Sequence, residues 1–262
     1  MLTSVFIKTL RDQQRGLIGW ALGTALTVVV MGAVWPSFSD VNITALMDQY
    51  PEALKEAFNI AAMDTGAGYL NAELFSLMLP AIFIIFGVAR GARLIAGEEE
   101  DGTLELLATL PVSRRRILLE KAGALIVELA VLALVLLASV WVASLAFGLD
   151  IAFLHAVNGA ISMFFIGLEF GLVSLALSAA TGRRGLAVGV SAGLAGLAYL
   201  LYLVAQLVKD LRPLRFASPF YQAISEGPIG PNLPALTLAM VAVGGVALAV
   251  SLVVFDRRDL GS

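Results

Sequence analysis

Ala122 to Phe147 reads AGALIVELAVLALVLLASVWVASLAF, an unbroken apolar run whose one charged side chain is Glu128. A helix crossing a ~30 Å hydrocarbon core needs about 20 predominantly apolar residues. This stretch is long enough to span with some tilt. Comparable runs lie at 16–35, 74–95, 154–180, 186–208 and 233–255. Pro80 falls inside the second run and is expected to kink it. The sequence therefore predicts an all-α integral membrane protein, with six transmembrane helices in a single domain over 1–262.

Composition agrees with that reading and removes others. The chain is 59% hydrophobic and only 14% charged, with a mean hydropathy of +0.90. A soluble domain is about 45–50% apolar and about 25% charged, and a disordered chain is less apolar still. Cysteine is absent, so disulfides, zinc ribbons and thiol chemistry are excluded. The single histidine, His155, excludes a multi-histidine metal site. A net charge of −3 offers no basic surface to nucleic acid. The first run is longer than a signal-peptide core and reads as a retained span.

Basic residues set the orientation, because cytoplasmic loops carry the excess of Lys and Arg. Lys8, Arg11 and Arg15 precede the first run. Arg90, Arg93, Arg114, Arg115, Arg116 and Lys121 cluster between the second and third. Arg183 and Arg184 join the fourth to the fifth, and Arg257 and Arg258 follow the sixth. Thirteen of the 17 basic residues thus share one side; Lys55, Lys209, Arg212 and Arg215 take the other. Both termini are expected in the cytoplasm. Residues 1–15 place Leu2, Val5, Phe6, Thr9 and Leu10 at helical spacing, which predicts an interfacial helix in the headgroup plane. Residues 36–73 form the longest outer segment, with a short helical stretch at Pro51–Phe58.

The cytoplasmic connection is unusually structured. Glu98-Glu99-Glu100-Asp101 end at Gly102-Thr103, and Leu104, Leu107 and Ala108 come next at helical spacing. Pro111 stops that helix, Ser113 can cap the next one, and Arg114-Arg115-Arg116 come after it. The pattern predicts a small rigid helix over 98–110.

This block, Glu99-Glu100-Asp101-Gly102-Thr103-Leu104-Glu105-Leu106-Leu107 with Pro111-Val112-Ser113-Arg114 and Leu119-Glu120-Lys121, resembles the cytoplasmic signature of permeases of the type-2 ATP-binding-cassette exporter family. Ser218-Pro219-Phe220 and the closing Phe255-Asp256-Arg257-Arg258-Asp259-Leu260 are similar to other parts of that family's pattern. The resemblance implies a dimerising transmembrane subunit, as a homodimer or a heterodimer with a similar permease. It also implies two P-loop ATPase subunits bound at the cytoplasmic face of a bacterial or archaeal plasma (inner) membrane. The 98–110 segment would be the coupling helix, contacting the ATPase through Glu98, Glu99, Glu100, Asp101, Gly102, Thr103, Leu104, Glu105 and Leu107. No cofactor is expected in this chain, with ATP and Mg held by the partner.

The chain lacks its own chemistry for using ATP. A phosphate-cradling loop needs Gly-x4-Gly-Lys-Ser/Thr, and none of the four lysines follows a glycine. No His-Glu-x-x-His pattern occurs. The remaining signals are polar faces inside spans, which are costly in lipid and mark bundle interiors or pathways. His155, Asn158, Ser162 and Glu169 share one face of the fourth span. Ser191, Tyr199, Tyr202 and Gln206 share a face of the fifth. Of these, Asn158, Ser162, Glu169, Tyr199, Tyr202 and Gln206 are candidates for a substrate path, with interhelical bonding as the alternative. Gly185, Gly189 and Gly193, followed by Gly196, predict a helix-packing face on the fifth span. Two other function classes remain open to sequence: an ion-coupled transporter using Glu169 and Glu128, and a membrane scaffold. Paired broken helices, the mark of the first, are absent.

Overall fold

The computed structural model describes residues 4–39, 63–103, 112–225, 227–233 and 235–258. Its six long helices are each apolar and long enough to cross a membrane, and no strand occurs among the described residues. They are α1 (Val5–Ser39), α3 (Met78–Ala92, continued through Glu100), α5 (Arg114–Phe147), α6 (Phe153–Thr181), α7 (Arg184–Leu207) and α9 (Thr237–Arg257). Shorter pieces complete the order. α2 (Gly66–Leu70) runs into a π turn at Asn71–Phe75, and α4 (Glu98–Glu100) follows a second π turn at Arg93–Gly97. A 3₁₀ segment, Lys209–Ala217, leads into α8 (Pro219–Ile224). The short helix expected at Pro51–Phe58 lies outside the described residues.

Two expectations need correction. The interfacial helix at 1–15 and the first span at 16–35 form one continuous helix across the expected break. Neither a proline nor a cap interrupts the chain at Arg15-Gly16. The helix start is bound to α5 instead: the Glu120 carboxylate accepts from the Phe6 N–H (3.0 Å) and the Ser4 hydroxyl (3.2 Å). At 1.5 Å per residue, 35 residues extend roughly 50 Å, well beyond the hydrocarbon core. The second correction concerns where the bend at Pro80 falls. The run is interrupted at Ser76-Leu77, where Leu77 has φ −147 and ψ −47, and α3 restarts at Met78 with Pro80 in its first turn. Backbone N–H groups of a first turn lack helical partners in any case, so Pro80 costs α3 itself no bond, and α3 runs regularly to Ala92.

α6 is the central element, packed against α3, α5, α7 and α9, while α1 lies along α5. The α3–α6 crossing explains this position. A Cβ built on Gly87 would overlap the Gly167 carbonyl oxygen, and one on Gly91 the Gly171 carbonyl oxygen. Glycine at 87 and 91 is what lets the two backbones meet, as small-residue faces do in membranes. Ser174 and Ser178 extend the contact by donating to the Val88 and Ala92 carbonyls, at 2.9 and 3.0 Å. The packing face expected at Gly185, Gly189 and Gly193 is different: nothing in the described chain lies within 4 Å of a Cβ at any of them, nor at Gly196. Four-residue glycine spacing occurs on α1, α3, α6 and α7, and among the described residues only those of α3 and α6 meet.

Candidate functional site

The acidic block lies where the charged ends of five elements converge. Glu98 Oε2 meets Lys121 Nζ of α5 at 2.6 Å, and the same ammonium donates to the Leu94 carbonyl at 2.6 Å. Lys121 is fully buried, so this pairing is what makes its charge tolerable there. Glu98 Oε1 also faces Lys8 of α1 at 3.7 Å, and Lys8 pairs with Asp12 one turn on at 2.9 Å. Glu99 Oε1 pairs with Arg258 at the end of α9 at 2.5 Å. Arg258 also donates to the Ala179 carbonyl of α6 (3.2 Å), while its own carbonyl accepts from Arg114. Gly182, with φ +62, lies directly under this pair, where any side chain would collide with the guanidinium. Glu100 Oε1 accepts from the Arg184 N–H at the start of α7, at 2.9 Å.

Three of the acids expected to contact an ATPase, Glu98, Glu99 and Glu100, therefore already have partners within this chain. Asp101 is exposed at the turn, and Gly102 has φ +68, a left-handed conformation that glycine adopts without strain. Thr103 donates back to the Glu98 carbonyl at 3.1 Å, closing the turn. Leu104, Glu105 and Leu107 lie outside the described residues. Beside the block, Lys8, Asp12, Gln13, Arg93, Glu98 and Asp101 line a polar pocket of about 220 Å³.

A second buried pair escapes the sequence reading. By sequence Arg90 groups with the loop cations, yet its Nε lies 3.2 Å from Glu128 Oε2 in the α3–α5 contact. It also donates to the Gln13 carbonyl of α1 (3.1 Å) and stands over the Phe86 ring at 5.1 Å. A Cβ on Gly16 would approach this guanidinium to 2.9 Å. One signal could have found the pair: an arginine inside an apolar run needs an acid at the same depth, and Glu128 is the one acid in the next span. Lys121 shares a helix face with Glu128, but it pairs with Glu98.

The polar stripes reach different neighbours. Asn158 donates to the Gly230 carbonyl at 2.8 Å. Asn71 exchanges two bonds with Ile229, at 3.1 and 3.0 Å. Both asparagines thus fasten the segment before α9 onto the bundle. Deeper on α6, Ser162 and Glu169 are buried, and the Ser162 hydroxyl and Glu169 Oε2 have no hydrogen-bond partner. Glu169 lies at the α6–α9 contact, close to Gly244. On α7, Tyr199 packs edge-on against Phe220 of α8 at 5.0 Å and neighbours Tyr202 at 6.2 Å. Tyr202 is bonded to Gln206, and both are buried. Ser218 donates to the Ala198 carbonyl at 2.8 Å, completing that corner. An apolar groove of about 450 Å³ runs between α5 and α6, past Leu134, Leu137, Val157, Ile161, Phe164 and Phe165. Among the described residues, no cluster of three or more His, Asp or Glu is arranged to hold a metal ion.

No curated protein matches the chain with significant similarity. The family model described as ABC-2 family transporter protein matches residues 3–260. Six apolar helices and a match over nearly the whole length make one statement: this chain belongs to the ABC-2 family of transporter proteins and is a membrane transport subunit of that type.

Proposed function

We propose that the chain is the permease of an ATP-driven exporter that moves an amphipathic or lipid-like substrate out of the cytoplasm. Two P-loop ATPase subunits bind ATP and Mg and supply the work; this chain, paired with a second permease, supplies the path. The observation that carries the reading is a family match over residues 3–260 in a sequence with no Gly-Lys pair to cradle phosphate. The motor then has to be another polypeptide, and the 98–110 segment is where it engages. Both termini and this segment face the cytoplasm, in keeping with the distribution of Lys and Arg. The wholly apolar groove between α5 and α6 suits acyl or other greasy cargo.

The test is purification of the tagged chain from cells expressing its complete operon. A P-loop ATPase is expected to co-purify, and Glu105→Lys is expected to weaken that association. Recovery of the permease without any ATPase overturns the reading.

A further inference from the structure

The π turn at Arg93–Gly97 has a visible cause. In an α-helix the Ala96 N–H would bond to the Ala92 carbonyl. Here the Ser178 hydroxyl of α6 stands between them, donating to the Ala92 carbonyl at 3.0 Å and accepting from the Ala96 N–H at 2.7 Å. Insertion of a side chain into the helical ladder is a recognised origin of helix distortion, and π turns accommodate one extra residue. Ala92, Ala96 and Ser178 are all fully buried, so no solvent competes for the two backbone groups. Ser174, one turn earlier on α6, serves as an internal control. It donates to the Val88 carbonyl at 2.9 Å, and α3 stays regular past it to Ala92. The helix widens where the serine both donates and accepts.

The extra residue sets the direction of the acidic block. One residue turns a helix by about 100° and advances it by about 1.5 Å. Glu98, Glu99 and Glu100 begin immediately after the π turn and contact Lys121, Arg258 and the Arg184 N–H in three different elements. In a regular helix, each would be rotated off its partner by that angle.

We propose that Ser178 is a positioning residue for coupling: by wedging open the π turn at 93–97, it aims the acidic block at its three partners and so places the segment that meets the ATPase. The coupling role rests on the function proposed above; the wedge itself does not. The chain has no cysteine, so D101C and R257C, both at exposed positions, introduce the only two sites for spin labels. The distance between them is measured in the full chain in nanodiscs, with labelled chain diluted into unlabelled chain. In Ser178→Ala the helix is expected to close and the distance to shift by roughly 5–8 Å, the arc of a ~100° rotation at side-chain radius. Deleting Arg93 from that variant removes the extra residue and is expected to restore the parental distance, which a merely structural serine would not allow. With the ATPase bound, hydrolysis is expected to fall about fivefold or more in Ser178→Ala and to recover in the deletion variant. An unchanged distance in Ser178→Ala, or no restoration by the deletion, overturns the wedge. If Ser178→Ala cannot be recovered from the membrane, the deletion variant decides: a folded chain with the parental distance supports the proposal, and failure to fold overturns it. An ATPase that never binds the parent chain defeats the proposed function while leaving the distance measurement interpretable.

Discussion

At the scale of single residues, charge is buried among the described residues where another charge meets it, with Glu169 as the exception. Removing one partner of a buried pair costs about 3–5 kcal/mol, because the other is left uncompensated. Glu128→Ala is expected to lower the thermal midpoint of the detergent-solubilised protein strongly, by stranding Arg90. The double variant Arg90→Met with Glu128→Leu should recover most of that loss, since apolar replacement of both partners is often neutral. Glu169 is expected to behave the opposite way. Its Oε2 has no partner and its side chain is buried, so Glu169→Leu should raise the midpoint while lowering transport-coupled ATP hydrolysis. A buried carboxylate without a partner is costly in a membrane, which is the ground for both expectations. The positions of Asn158 and Glu169 on one face were legible from 100° periodicity. Their different fates were not, because the segment around Ile229 and Gly230 that takes up Asn158 lies some 70 residues away in sequence.

At the scale of elements, length and apolarity made the long helices readable, while their contacts depended on which faces met. The Gly87–Gly91 and Gly185–Gly189 repeats are equivalent as spacing, yet one touches backbone and the other touches nothing in the described chain. Gly91→Ala is expected to destabilise the protein by about 1–3 kcal/mol, the usual cost of overpacking, whereas Gly189→Ala in the isolated chain should change the midpoint little. Comparison of thermal unfolding in detergent checks the pair. The expected break at residue 15 failed for a related reason. Charged side chains in the first turns suggested a helix lying on the membrane, but Glu120, Glu98 and Arg90 bind that segment along the bundle. Such partners lie 77 or more positions away and leave no local mark. The π turn at 93–97 is equally silent in α3, because the serine that makes it belongs to α6.

At the scale of the whole molecule, the start of α1 and the end of α9 lie at one end of the bundle, tied through Glu120 and Glu99 to the same cluster. A reporter that fluoresces only in the cytoplasm is expected to light up when fused to either terminus, and a dark fusion at either end would contradict the proposed orientation. The same cluster links α1, α5, α7 and α9 to three consecutive glutamates. A force on Glu98–Glu100 would thus reach four spans directly.

The central place of α6 also dictates the order in which the protein can be made. Gly91 enters the membrane about 80 residues before Gly171, a delay of roughly 4–16 s at ordinary elongation rates. Arg90 gains Glu128 sooner, when α5 arrives, so the charge is neutralised while the glycine face still contacts only lipid. A chain whose α5 has entered the bundle while α6 has not would thus hold a paired arginine beside an uncovered glycine face.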